Sequence, residues 1–172
     1  MAINTWYRCI SPENLTQLMQ ASRLHPEAPA EYLDSGFNDD SNEMKRPEPR
    51  LWTERNWLGL HSLLTFGEWA QYPLLGTSIS GGTPIGGDYC YYGPVRYFTE
   101  EEVRNIASAL EKVEEATLRS SFDPDALNAA GVPPAHAWHP EDFPHLWKTF
   151  QDIQTFFRVA QSQGYALLVY LG

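Results

Sequence analysis

Apolar residues along the chain change their spacing several times, and each change marks an element. From Ala2 to Ile10 the residues Ile3, Trp6, Tyr7, Cys9 and Ile10 form a β-branched and aromatic run that predicts a first strand. Ser11-Pro12 opens a helix, because a serine hydroxyl caps free N–H groups and proline suits the first helical position. Leu15, Leu18 and Met19 then recur at helical spacing as its buried face. Thr53 predicts the cap of a second helix reaching about Leu64, in which Trp57, Leu60, His61 and Leu64 fall at i, i+3, i+4 and i+7. That spacing turns His61 toward the core or into a cleft beside it. Thr99 and Glu102 are spaced as a capping box. Val103, Ile106, Ala107, Leu110 and Val113 follow as the buried face of a long helix, with Glu111, Glu114 and Glu115 on its exposed face. Asp123-Pro124 starts a short helix containing Leu127, and Pro133-Pro134 breaks the chain. Pro144 starts the last helix, whose stripe is Leu146, Trp147, Phe150, Ile153, Phe157 and Ala160, and Gly164 ends it. Tyr165 to Leu171 is apolar almost without interruption and predicts a central strand buried on both faces.

Two stretches lack a clear period. Arg23 to Arg50 carries Pro26, Pro29, Pro47 and Pro49 with mixed charges and Asp34-Ser35-Gly36, and it predicts a long surface loop with one short helix around Ala30 to Leu33. Leu74 to Phe98 holds six glycines, Gly76, Gly81, Gly82, Gly86, Gly87 and Gly93, which predict an irregular first half. Its second half, Asp88 to Phe98, is aromatic and strand-like, broken at Gly93-Pro94. With 172 residues, no internal repeat and no second boundary, the pattern predicts one α+β domain: a small mixed or antiparallel sheet packed with about four to five helices. A chain of this length buries about 70% of its unfolded surface and needs no metal or disulfide staple.

Charge narrows the function classes. Twenty-two acidic residues against 12 basic ones give a net charge of −10. Such a chain is a poor ligand for nucleic acid phosphates and is repelled by anionic membranes. It suits a basic protein partner, and the oligomeric state stays open. Cys9 and Cys90 each sit in apolar surroundings and read as free, reduced thiols, although pairing between them stays open. The first ten residues lack a basic segment followed by an apolar one, and no apolar run approaches the roughly 20 residues that span a bilayer. A cytoplasmic protein is expected.

Trp57, Leu60-His61, Leu63-Leu64-Thr65, Gly81-Gly82, Ile85-Gly86, Gly93-Pro94-Val95-Arg96-Tyr97 and Val103 occur in an order that resembles the YfbM-like family, domains of unknown function. Phe122-Asp123-Pro124, Trp138 and Gly164-Tyr165-Ala166-Leu167-Leu168 extend the resemblance, which covers roughly Trp52 to Leu171. The chain departs from the family pattern at Phe66-Gly67, where a glycine often follows Leu-Leu-Thr directly, and at Val132-Pro133, where Tyr-Pro is common. The resemblance implies a mixed α+β domain, usually standing alone, with no established reaction. It also implies relatives that are candidates for neutralising secreted toxins.

Candidate chemistry is sparse. The glycine-rich stretch lacks the Gly-Lys-Ser/Thr of a phosphate loop, and its amides, with Gly81 and Gly82 foremost, serve either as turns or as an anion nest. His61, Asp88, Tyr92 and Arg96 form the most promising polar set, since imidazole, carboxylate, phenol and guanidinium together bind and polarise an anion. The bland alternative makes His61 a hydrogen-bonded core histidine and Arg96 a fork that pins the glycine loop or pairs with Asp88. His136, His139 and His145 lack zincin spacing and read as surface histidines. Cys90 has no basic neighbour in sequence to activate it, and no Gly-x-Ser-x-Gly is present. No catalytic residue, metal or cofactor is assigned. Two functions follow. The first is a non-catalytic acidic binding protein of immunity type that neutralises a basic toxin domain, using Glu111, Glu114, Glu115, Asp39 and Asp40. The second is an enzyme or small-molecule sensor with a cleft between the His61 helix and the Gly81–Arg96 loop.

Overall fold

The computed structural model describes residues 4–34, 48–53, 56–90, 92–133 and 137–172. Among the described residues, five strands form one antiparallel sheet: β1 (Thr5–Ile10), β2 (Arg50–Thr53), β3 (Thr83–Cys90), β4 (Gly93–Phe98) and β5 (Ala166–Leu171), in the order β2-β1-β5-β4-β3. The apolar run near the C-terminus thus occupies the middle of the sheet, where Ala166 to Val169 are all buried. Alternation divides the sheet into two faces. Tyr7, Cys9, Phe98, Leu167 and Val169 look to one side, and Ile10, Ile85, Val95, Ala166 and Leu168 to the other.

The first face is covered by α3 (Trp57–Thr65), α4 (Pro73–Ser80), α5 (Glu100–Leu110) and the long α8 (Phe143–Ser162). Phe157 of α8 is central there, in ring contact with both Tyr7 and Phe98. The second face carries α1 (Pro12–Leu24) and α2 (Ala28–Asp34), which contribute Leu15, Leu18 and Leu33. An ion pair helps hold α2 down: Arg8 of β1 donates to Glu48 at 3.2 Å and to the Tyr32 carbonyl at 2.7 Å, with its guanidinium over the Tyr32 ring. Two short helices, α6 (Glu115–Ser120) and α7 (Pro124–Ala129), complete the helical layer.

Caps fall where the residue types put them. Ser11 accepts from the Asn14 amide, the Thr99–Glu102 box closes in both directions, and Asp123 accepts from the Ala126 amide. Other expectations need correction. Thr53 caps no helix. It ends β2 and exchanges hydrogen bonds with the Thr5 backbone at 3.3 Å. The stretch from Leu74 is helical through Ser80, and Gly76 lies inside that helix because a Cβ there would come under 3.0 Å from the Thr65 methyl. Asp88 to Phe98 is a hairpin of two strands, turned before Gly93, whose φ is +103°. The long acidic helix stops at Leu110. Glu111 is its C-cap, Glu114 is the N-cap of α6, and Val113 is buried in the turn between them. The expected loop from Arg23 to Arg50 contains all of α2 and the first residue of β2. Asp39 and Asp40 lie outside the described residues, as does His136. Cys9 and Cys90 are free, facing opposite sides of the sheet.

Candidate functional site

Helix α3 buries Trp57, Leu60 and Leu64, leaving His61 half-buried against α4. Ser80 Oγ stands 3.4 Å from both imidazole nitrogens. Burial pulls the His61 pKa below its ordinary value, and a hydrogen bond with the Gly76 backbone works in the opposite direction. The imidazole is therefore neutral at neutral pH. Arg96 shares its sheet face with Phe98, and its Nη1 donates to the Ser80 carbonyl at 3.3 Å. A cavity of about 310 Å³ opens beside His61, bounded by Thr65, Trp69, Thr77 and Ser80.

The structure brings His61 and Arg96 to the same serine but does not assemble the expected set. Arg96 pairs with Pro84 across the hairpin. Asp88 lies further along that strand, between Ile85 and Cys90, where the register with β4 shifts and regular pairing is lost. Its charge acts on Cys90, on the α1–α2 side, where burial first and then Asp34 and Asp88 raise the thiol pKa. Tyr92 lies beyond it in the hairpin turn, exposed. Gly81 is the C-cap of α4, its amide donating to the Thr77 carbonyl at 2.8 Å, so that donor is spent within the helix. Gly82, at φ +99°, lets the chain pass close to Tyr97 and Arg96. Among the described residues, no three His, Cys, Asp or Glu side chains are grouped to hold a metal ion.

A larger feature lies next to the His61 cavity. After α3 the chain makes a 3₁₀ turn, Gly67–Gln71, from which Trp69 points inward and donates its Nε1–H to Ser121 Oγ at 3.1 Å. Around that fixed indole, Phe66, Tyr72 and Leu74 stand 69%, 52% and 40% exposed. A cavity of about 580 Å³ opens on each side of the turn. The first lies between Leu63, Phe66 and the α6–α7 segment, floored by Leu127 and Val132. The second lies between Tyr72, Leu74 and the end of α5, at Ala109, Lys112 and Val113. Trp69 lines both, and the His61 cavity as well.

Glu111, Glu114 and Glu115, expected as partner contacts, are exposed and flank the Lys112, Val113 and Thr117 lining of the second cavity. Asp123 borders the first. Sequence reasoning missed the Trp69 surface itself. Its signal was present as Phe66, Trp69 and Tyr72, three aromatics recurring every third residue, the period of a 3₁₀ turn. Phe66 also sits at a departure from the family motif.

Comparison with known proteins bears on the fold. A family model described as a domain of unknown function, DUF1877, matches residues 1–170. No curated protein matches the chain significantly. The crystal structure of YfbM from Escherichia coli, a protein of unknown function, aligns with 98% of this chain and 99% of that one, at TM-score 0.69 and 18% identity. That likeness extends the resemblance seen in the motifs to the whole architecture.

Proposed function

The chain belongs to the DUF1877 family of domains of unknown function, and we propose that it acts as a non-catalytic binding protein for a basic protein partner. What carries this reading is the clustering of Phe66, Tyr72 and Leu74 at an exposed surface between two cavities, on a chain of net charge −10. Contiguous exposed apolar surface rimmed by polar groups is the usual mark of an interaction site. The acidic balance raises association rates with cationic surfaces and discriminates against acidic ones. Neutralisation of a toxin, as an immunity protein does, is the specific form of this role that a tight, charge-steered complex suits best, and the cytoplasm is the compartment in which we place it.

The test is affinity capture from the native host with the tagged chain, followed by intact-complex mass measurement. A stoichiometric partner rich in Lys and Arg, released as salt is raised, is the expected result. Recovery of no partner, or of an acidic one indifferent to salt, refutes the role. The alternative of an enzyme or sensor centred on His61 is supported by the adjacent cavity. It loses support from the separation of Asp88 and Tyr92 from Arg96.

A further inference from the structure

We propose that the surface around Trp69 is a docking groove for a positively charged amphipathic helix of another protein, a reading that rests on the binding role above and names its site and occupant. The anchors come first. Single exposed apolar residues are ordinary, but Phe66, Tyr72 and Leu74 emerge from one short segment and each borders a cavity. Trp69, tethered to Ser121, makes a fixed wall between the two cavities.

The spacing favours a helix. Phe66 and Tyr72 flank the 3₁₀ turn, and at about 2 Å per residue their six-residue separation is about 12 Å. An α-helix rising 1.5 Å per residue covers that distance in about seven or eight residues. Side chains at i and i+7 then enter one cavity each, with i+3 and i+4 over the wall between them.

Charge selects the sign. The segment from Ala109 to Val132 forms the opposite bank, with Glu111, Glu114, Glu115, Asp123 and Asp125 against Lys112 and Arg119. Arg119 pairs with Glu115 at 2.7 Å and lies over the Phe143 ring, so these two cancel and Glu111, Glu114, Asp123 and Asp125 stand against Lys112. Phe66 to Gly76 contributes no Lys or Arg. A cationic helix finds complementary charge on its outer flanks, whereas an anionic one is repelled.

The probe is an 18-residue helix-forming peptide with leucines on one face and lysines on the other. Its glutamate counterpart and a scrambled Leu/Lys sequence serve as controls, each titrated into the isotopically labelled protein. Amide shifts are expected at residues 62–76 and 109–132, with at least tenfold tighter binding than either control. The exposed pair Phe66→Ser/Leu74→Ser should weaken binding at least tenfold while leaving the circular dichroism unchanged, and Lys112→Glu should tighten it severalfold. Failure to bind, shifts on other surfaces, equal binding of a control peptide, or indifference to these substitutions overturns the proposal. A captured native partner that binds the double variant undiminished also sinks this site while sparing the broader role. If the peptide behaves as expected and no native partner is captured, the broader role falls and the groove's chemistry stands.

Discussion

Replacing Gly59 by alanine tests how helix α3 is seated. Inside a helix, alanine is usually the better residue by about 0.5–1 kcal/mol. Here a Cβ would come under 3.0 Å from Cη2 and Cζ2 of Trp138. Carbon atoms pack at about 3.5–4.0 Å, so the ring must retreat by about 1 Å. It has little room to do so, being 2% exposed and in edge contact with Phe122. Its backbone is clasped by Asn128 through bonds of 2.7 and 3.0 Å, and its Nε1–H donates to the Val132 carbonyl at 2.9 Å. Overpacking of this kind costs about 1–3 kcal/mol, and losing the indole hydrogen bond adds about 1 kcal/mol. Against the helical gain, Gly59→Ala should be destabilising by about 1–3 kcal/mol. In a chain of this length that is a fall of about 2–12 °C in Tm. Urea unfolding of Gly59→Ala, Trp138→Leu and the double variant measures it. The double variant should be less destabilised than the sum of the singles, because leucine removes the obstructing carbons. A raised midpoint in Gly59→Ala, or simple additivity, would show that the helix does not rest on Trp138. Val132 lines the first cavity, so the same substitution should also weaken the Leu/Lys peptide.

Gly86 and Gly93 both adopt positive φ, at +74° and +103°, but only Gly86 is crowded, with a Cβ placed 2.5 Å from the Pro26 carbonyl and 2.7 Å from Pro29. Gly86→Ala should therefore lower the urea midpoint clearly more than Gly93→Ala, which bears only the backbone penalty of about 1–2 kcal/mol; equal losses would contradict the placement of α2 against β3. Burial, with a smaller contribution from Glu48, pushes the Cys9 thiol up to about 12. In the native protein Cys9 should resist alkylation by iodoacetamide at pH 8 until denaturant is added, as peptide mass mapping would show; rapid native labelling would place Cys9 outside the core.

What was legible in the sequence came from local chemistry. Ser11-Pro12, the Thr99–Glu102 box and the stripe from Leu146 to Ala160 are decided within a few residues, and each has the expected structure. The unbroken run from Ala166 named the middle strand because only a strand flanked on both faces tolerates it. The failures are tertiary. Gly76 reads as a turn residue, yet it sits inside a helix because Thr65 of the neighbouring helix leaves no space for a side chain. Strand β2, at four residues, is too short to show a period and exists by pairing with β1. Asp88 and Arg96 fall in one strand-like stretch broken at Gly93-Pro94, which leaves a pair between them as one alternative. The turn between them makes two strands, and the register sets Arg96 opposite Pro84. The Trp69 surface was opaque for a related reason: what gives Phe66, Trp69 and Tyr72 a common role is the bank supplied by residues 109–132, which lie far away in sequence.

That shared wall has a consequence for His61. Trp69 bounds the His61 cavity as well as the two larger ones. A helix seated against it restricts water around the imidazole and brings lysines nearer. The groups already facing His61 are the Ser80 hydroxyl and the Gly76 backbone, with Arg96 one step removed on the Ser80 carbonyl. In the free protein, desolvation holds the His61 pKa below that of the unfolded chain. The unfolded state therefore binds the extra proton first, and stability falls as pH drops from about 7 through the unfolded value near 6.5. His61→Gln should flatten that slope. Peptide occupancy adds desolvation and positive charge, both of which disfavour imidazolium. The His61 resonance should then titrate at still lower pH with the Leu/Lys peptide bound, and by linkage the peptide's affinity should decline on acidification in the wild type but not in His61→Gln. If the two proteins lose affinity in parallel, or if the imidazole titrates identically with and without peptide, Trp69 does not join the cavity to the groove.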